Sequence, residues 1–188
     1  NWDGCTEGGS LQGAYRFVLG TDSAQVVKGT GNVWNSGKVA SAKMLVTLSK
    51  SVLTPFTRYF WTVQTWDQKG RASPPAPVAI FETGMMDKKN WTGSWITDGQ
   101  DVTIKPAGYF RKEFSAKKAI RSARAYVAVG GLYELYINGK RVGDERLNPM
   151  YTRFDRRTLY VTHDITSYLT KGENAMGVVL GNGWYNHQ

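Results

Sequence analysis

Two short stretches hold the side chains best equipped for recognition chemistry. In "NPMYTRFDRR" (148–157) these are Tyr151, Arg153, Asp155 and Arg156, and in "LGNGWYN" (180–186) they are Asn182, Trp184, Tyr185 and Asn186. Tyr and Trp rings offer flat apolar faces for stacking, while Asp, Asn and Arg present paired acceptors and donors. The first stretch is a connection between strands and the second lies just beyond one, which suits loops held by a rigid scaffold. Each group also has a structural alternative. Trp184, following Gly183, could plug a core, and Asp155 could pair at the surface with Arg153 or Arg157, a contact worth about 0–1 kcal/mol.

Catalytic groups are harder to assemble. Most of the 15 acidic residues stand beside Gly, Lys or Arg in turn-like settings, such as Asp67 before "QKG" and Asp144-Glu145 after "RVG". His163 falls in a strand and His187 near the end of the chain, and neither has Ser/His/Asp or metal-ligand spacing around it. "GTGNVWNSG" (29–37) is glycine-rich but lacks the Lys-Ser/Thr and helix of a phosphate loop. The single cysteine, Cys5, can form no internal disulfide and has no ligand partners nearby. No catalytic residue, metal ligand or cofactor is assigned. The net charge of +9 raises an anionic partner, but the basic residues are scattered in ones and twos. A nucleic-acid groove would interleave them with exposed aromatics along one element, so no nucleic acid is expected; "TRFDRR" (152–157) is the densest basic group. No apolar run approaches the roughly 20 residues of a membrane helix, and residues 1–15 hold no signal-peptide pattern. No membrane partner is expected.

The elements that must position these residues read as strands nearly throughout. "AYRFVLG" (14–20), "MLVTLS" (44–49), "RYFWTVQTWD" (58–67) and "VAIFET" (78–83) are aromatic and β-branched, separated by Gly, Pro, Asn and Ser. Alternation in "YFWTVQTWD" sends Tyr59, Trp61 and Val63 to one apolar face, so Trp61 is a core candidate. "PPAP" (74–77) lies on an edge or connection. A polar joint, "MMDKKNW", separates a second series: "GSWIT" (93–97), "AGYFRKEFSA" (107–116), "SARAYVAVGG" (122–131), "YELYINGKRV" (133–142), "TLYVTHDI" (158–165) and "NAMGVVLG" (174–181). Asn138-Gly139 predicts a two-residue hairpin, and "ITSYLTKG" a single helical turn. The fold class is all-β, with two sandwich domains over 1–86 and 87–188.

"NVWNSGKVAS", "LTPFTRYFWTVQTWDQKGRAS", "FETG", "YELYINGKRVGDERLNP" and "LYVTHDITSYLTKGENAMGVVLGNGWY" occur in this order, from about Gln12 to Tyr185. Together they resemble the N-terminal region of bacterial α-L-rhamnosidases, glycoside hydrolase family 78, which remove terminal rhamnose. The resemblance implies a fibronectin type III- or immunoglobulin-like module followed by a jelly-roll-like β-domain associated with substrate recognition. In that family further strands and a helical (α/α)6 barrel follow, and the barrel carries the acid and base of an inverting hydrolysis. The expectation is therefore a front piece with an incomplete second domain, inactive alone, whose partner is the downstream catalytic domain. A periplasmic or secreted parent is implied.

Within that resemblance the two polar-aromatic stretches become candidates for rhamnose-containing carbohydrate: Tyr151, Asp155, Arg156, Asn182, Trp184 and Asn186. Pyranose C–H faces stack on Trp or Tyr, and vicinal hydroxyls need paired polar groups. Some relatives hold calcium beside rhamnose with an acid and an amide. Here Asp155 corresponds, but Arg156 stands where the amide is wanted, so no metal is expected. The alternative function is a structural or protein-interaction module without a ligand. If closing strands are missing, "NAMGVVLG" should present an open apolar edge and favour a dimer.

Overall fold

The structure is a computed structural model that describes residues 11–99 and 107–185. The chain forms two compact units, Asn1–Ser94 and Trp95–Gln188. Both are all-β, built from antiparallel sheets in β-sandwich style, with one short α-helix and three single 3-10 turns among the described residues, the last of them, Thr166–Tyr168, within "ITSYLTKG".

The first unit is organised by a long strand pair. Strand β1 (Gln12–Gly20) runs antiparallel to β4 (Arg58–Asp67), in register from Gln12↔Asp67 to Gly20↔Phe60, with an irregularity between Gln12 and Ala14. Short strands β2 (Trp34–Asn35) and β3 (Val39–Ala40) pair with β1, and β5 (Ala79–Glu82) pairs with β4. Alternation sends Phe17 and Leu19 of β1 and Tyr59 and Trp61 of β4 to one face, where they form the core with Val33, Trp34 and Phe81. The Phe17 and Trp61 rings stack at 5.4 Å, and Tyr59 and Phe81 at 5.2 Å. A five-residue helix, α1 (Ser23–Val27), is capped by Asp22, whose Oδ1 accepts from the Ala24 and Gln25 amides. Its Val26 is fully buried.

"MLVTLS" departs from expectation, since it makes no strand. Val46 and Leu48 nevertheless pack on the core of the sheet, so the alternation was real but its backbone has no ladder partner. "GSWIT" is not a strand either; Trp95 and Ile96 stand exposed, and none of the described strands pairs with this segment.

In the second unit a four-stranded sheet has the order β6-β11-β8-β9: β6 (Tyr109–Ala116), β11 (Gly172–Gly181), β8 (Leu132–Ile137) and β9 (Lys140–Arg141). A two-stranded sheet pairs β7 (Arg124–Ala128) with β10 (Tyr160–Asp164). Ala125 and Val127 of β7 and Val161 of β10 pack with Leu135 and Ile137 of β8 and Met176, Val178 and Leu180 of β11, so the core is shared between the two sheets. Asn138 and Gly139 take φ of 52° and 77° in the tight turn joining β8 to β9. Asn138 does more than turn the chain: its Nδ2 donates to the Tyr168 carbonyl and to Asn174 Oδ1, and its Oδ1 accepts from the Ala175 amide, each at 2.9 Å.

The open edge expected at "NAMGVVLG" is corrected. β11 is an inner strand, paired with β6 on one side and β8 on the other. The last of the described strands is inserted between two earlier ones, so among the described residues the edges of this sheet are β6 and β9.

Candidate functional site

The site is built where the loop between β9 and β10 meets the turn after β11. The loop is tied to the first residues of β8 by the Tyr133 amide, which donates to the Asn148 carbonyl at 3.0 Å. It then tightens on itself, with the Arg156 and Arg157 amides both donating to the Arg153 carbonyl at 2.9 Å. The post-β11 turn closes when the Tyr185 amide donates to the Asn182 carbonyl.

Four rings converge. Tyr151 meets Trp184 edge-on at 6.4 Å and Phe154 at 5.8 Å, and Phe154 meets Tyr185 at 5.3 Å. T-shaped pairs of this kind place a ring edge on a neighbour's negative face, each worth about 0.5–1.5 kcal/mol beyond area burial. Tyr151, Trp184 and Tyr185 remain 63%, 64% and 62% exposed. Trp184 is therefore not a core plug.

Glycines make this approach possible. A Cβ on Gly130 would lie 2.7 Å from the Tyr185 ring, so that ring rests directly on backbone. A Cβ on Gly131, whose φ is 111°, would meet the Gly181 carbonyl oxygen at 2.5 Å. The strand end "VGGL" thus admits the returning "GNGWY" at a separation no side chain allows.

Of the residues expected from the sequence, Tyr151 and Trp184 come together, and half-buried Asn182 lies in the same turn. Asp155 is engaged from both oxygens by Arg153, through Nε at 3.0 Å and Nη2 at 2.9 Å. Arg156 is exposed beside it, and Asn186 lies outside the described residues. With Asp155 forked by one guanidinium and flanked by a second, the residues do not fit a calcium site, and no group of three or more His, Cys, Asp or Glu able to hold a metal occurs among the described residues. Phe154 and the Gly130-Gly131 pair were not singled out from sequence. The one signal for the glycines is their clustering: "VGG" lies in the link between β7 and β8, and "LGNG" runs out of β11, which pairs with β8.

Buried beneath, the Tyr133 hydroxyl lies 2.7 Å from His163 Nε2, joining β8 of one sheet to β10 of the other. Burial holds the His163 imidazole below its ordinary pKa, with Glu145 pulling the opposite way. Burial, with Glu145 adding to it, pushes the Tyr133 hydroxyl up to about 12. Both groups are thus favoured in their neutral forms, as an inter-sheet link rather than a proton-transfer pair.

Comparison with known proteins places this geometry. Residues 1–87 match the family model described as a Rha78A-like, N-terminal immunoglobulin domain, and residues 118–188 match the α-L-rhamnosidase N-terminal domain. The chain belongs to the N-terminal region of the α-L-rhamnosidase family. An α-L-rhamnosidase of Formosa agariphila is 32% identical over 200 residues, covering 94% of this chain and 21% of that protein. Among solved structures, the α-L-rhamnosidase from Dictyoglumus thermophilum shares 39% identity with a TM-score of 0.80, covering 94% of this chain and 22% of that one. That from Aspergillus terreus shares 28% identity with a TM-score of 0.73, covering 94% and 20%. The chain thus spans about a fifth of the length of these α-L-rhamnosidase relatives.

Proposed function

We propose that the chain is the non-catalytic N-terminal part of a longer α-L-rhamnosidase that hydrolyses terminal α-L-rhamnose, and that its second unit touches rhamnose-containing carbohydrate through the Tyr151–Trp184 corner. The observation that carries this reading is the pair of exposed, edge-to-face rings held by two separate connections. A methyl-bearing sugar such as rhamnose offers C–H groups to such rings, and neighbouring Asn182 and Arg156 supply polar groups for its hydroxyls. The test is a titration of the full chain with L-rhamnose, read by amide shifts at 151–156 and 182–185. Saturable shifts that vanish in Trp184→Ala are expected. No response at tens of millimolar sugar overturns the carbohydrate role.

A second reading has its own observation. Leu147 and Met150 are exposed in the same loop as Tyr151, giving apolar surface of the kind that covers a protein contact. In that case the corner meets the catalytic part of the parent, rhamnose leaves the spectrum unchanged, and Trp184→Ala lowers the stability of the full-length enzyme.

A further inference from the structure

The first unit carries another aromatic constellation, on the sheet face opposite its core. Register pairs Ala14 with Trp66 and Arg16 with Gln64, which sets Arg16 and Trp66 on the face away from Phe17 and Leu19. There a shallow cavity of about 470 Å³ is lined by Arg16, Asn35, Gly37, Lys38 and Trp66.

Among the described residues that line it, the charged side chains are Arg16 and Lys38. Arg16 Nε donates to Asn35 Oδ1 at 3.2 Å, and its Nη2 donates to the Gly29 carbonyl at 2.7 Å. Its guanidinium lies against Gly29, with atoms 3.6–3.8 Å from where a Cβ would stand. Asn35 Oδ1 also accepts from the Gly37 amide at 3.0 Å, so one amide side chain fixes both the guanidinium and the turn before Lys38. The Lys38 ammonium sits 4.7 Å from the centroid of the Trp66 ring. Both cations are therefore oriented by neutral groups, and none of the lining residues is a carboxylate. Arg16 and Lys38 both line this open cavity, and an anion bound there gains charge-assisted hydrogen bonds.

We propose that this cavity binds an anionic pyranose, a sugar unit carrying a carboxylate or a sulfate ester. The anion is held by Lys38 and the outward-facing donors of Arg16, and the C–H groups of the ring lie along Trp66. The site is in the other unit from the Tyr151–Trp184 corner and stands independently of it.

The experiment uses the full isotope-labelled chain with four probes at matched ionic strength: D-glucuronate, D-glucose 6-sulfate, D-glucose and inorganic sulfate. Glucuronate or glucose 6-sulfate should shift the Gly37 and Lys38 amides and the Trp66 indole N–H, while glucose should not. A response to glucuronate alone assigns the carboxylate, to glucose 6-sulfate alone the sulfate ester. Lys38→Met, at an exposed position, should weaken binding about tenfold while leaving the rest of the spectrum in place. High salt should weaken it as well. The proposal is overturned if neither anionic sugar shifts these signals, if glucose does so equally, if inorganic sulfate alone matches the sugars, or if Lys38→Met binds as tightly as the parent chain. Signals at 151–156 and 182–185 report on the other site in the same spectra, so the failure of either is read separately.

Discussion

Replacing Tyr133 by Phe tests whether the inter-sheet link holds the second unit together. The substitution keeps the ring and removes only the hydroxyl, which lies 2.7 Å from a His163 nitrogen that is itself buried. Net loss of a hydrogen bond with one partner left unsatisfied in the interior costs about 1–3 kcal/mol. Because the chain has two units, a whole-chain melting curve mixes their transitions. Amide hydrogen exchange in β8 and β11 reads the second unit alone. At about 1.4 kcal/mol per tenfold, the slowest-exchanging amides there should speed up roughly 5- to 150-fold, while those of β1 and β4 stay unchanged. His163→Leu should cost a similar amount by stranding the hydroxyl. The double variant should then cost less than the sum of the two, because neither group is left to be stranded. Exchange in Tyr133→Phe within twofold of the parent chain, or strict additivity in the double variant, would show that water or another group already satisfies these atoms and would refute the reasoning.

The same pair predicts a pH dependence. Burial depresses the folded pKa of His163, so the unfolded chain takes up the proton first. Stability of the second unit is complete above the ordinary histidine value of about 6.5 and is lost as pH falls from there toward the folded value; urea unfolding of the second unit at a series of pH values checks this, and His163→Leu should flatten the slope. In the first unit, Asp67 accepts from the Lys69 and Arg71 amides and from Arg71 Nε, and its carboxyl is held below the usual range, first by the Arg71 backbone hydrogen bond. Its contribution is present above the ordinary carboxylate range and lost as pH falls through the folded value, so Asp67→Asn should reduce the acid sensitivity of β1 and β4 exchange as well as their protection. Gly130→Ala and Gly131→Ala should differ in kind. The first obliges only the exposed Tyr185 ring to swing away and should change its aromatic chemical shifts with little loss of stability, whereas the second meets backbone at φ 111° and should cost about 1–3 kcal/mol or more in exchange protection.

Local chemistry explains which parts of this architecture could be read in advance. β4 begins and ends at the residues that its aromatic, alternating composition indicates, and the Asn138-Gly139 turn follows from the positive φ it requires. "MLVTLS" and "GSWIT" have similar composition but are not strands, because a strand exists only with a partner and partner choice is a long-range matter. The place of β11 inside its sheet is the same kind of fact, since nothing within residues 172–181 states that earlier strands will flank it. Helix α1, at five residues, is too short to show a period.

At the candidate site, the types of Tyr151 and Trp184 were legible and their meeting was not, because it depends on two glycine-rich strand ends far apart in sequence. That dependence bears on how the corner works. An exposed aromatic ring is ordinarily free to sample several rotamers, and ordering it on binding costs entropy. Here the Tyr185 ring lies against the bare backbone of Gly130, Phe154 meets Tyr185 edge-on, and Tyr151 stands between Phe154 and Trp184. The rings contact one another while staying in solvent, so under the proposed carbohydrate role a ligand at Trp184 would meet a surface with less left to order. A side chain at position 130 would remove the support at one end of this series without touching the ring at the other. Weaker L-rhamnose binding in Gly130→Ala, with Trp184 itself intact, is the outcome that bracing demands; unchanged affinity would mean that Trp184 acts alone.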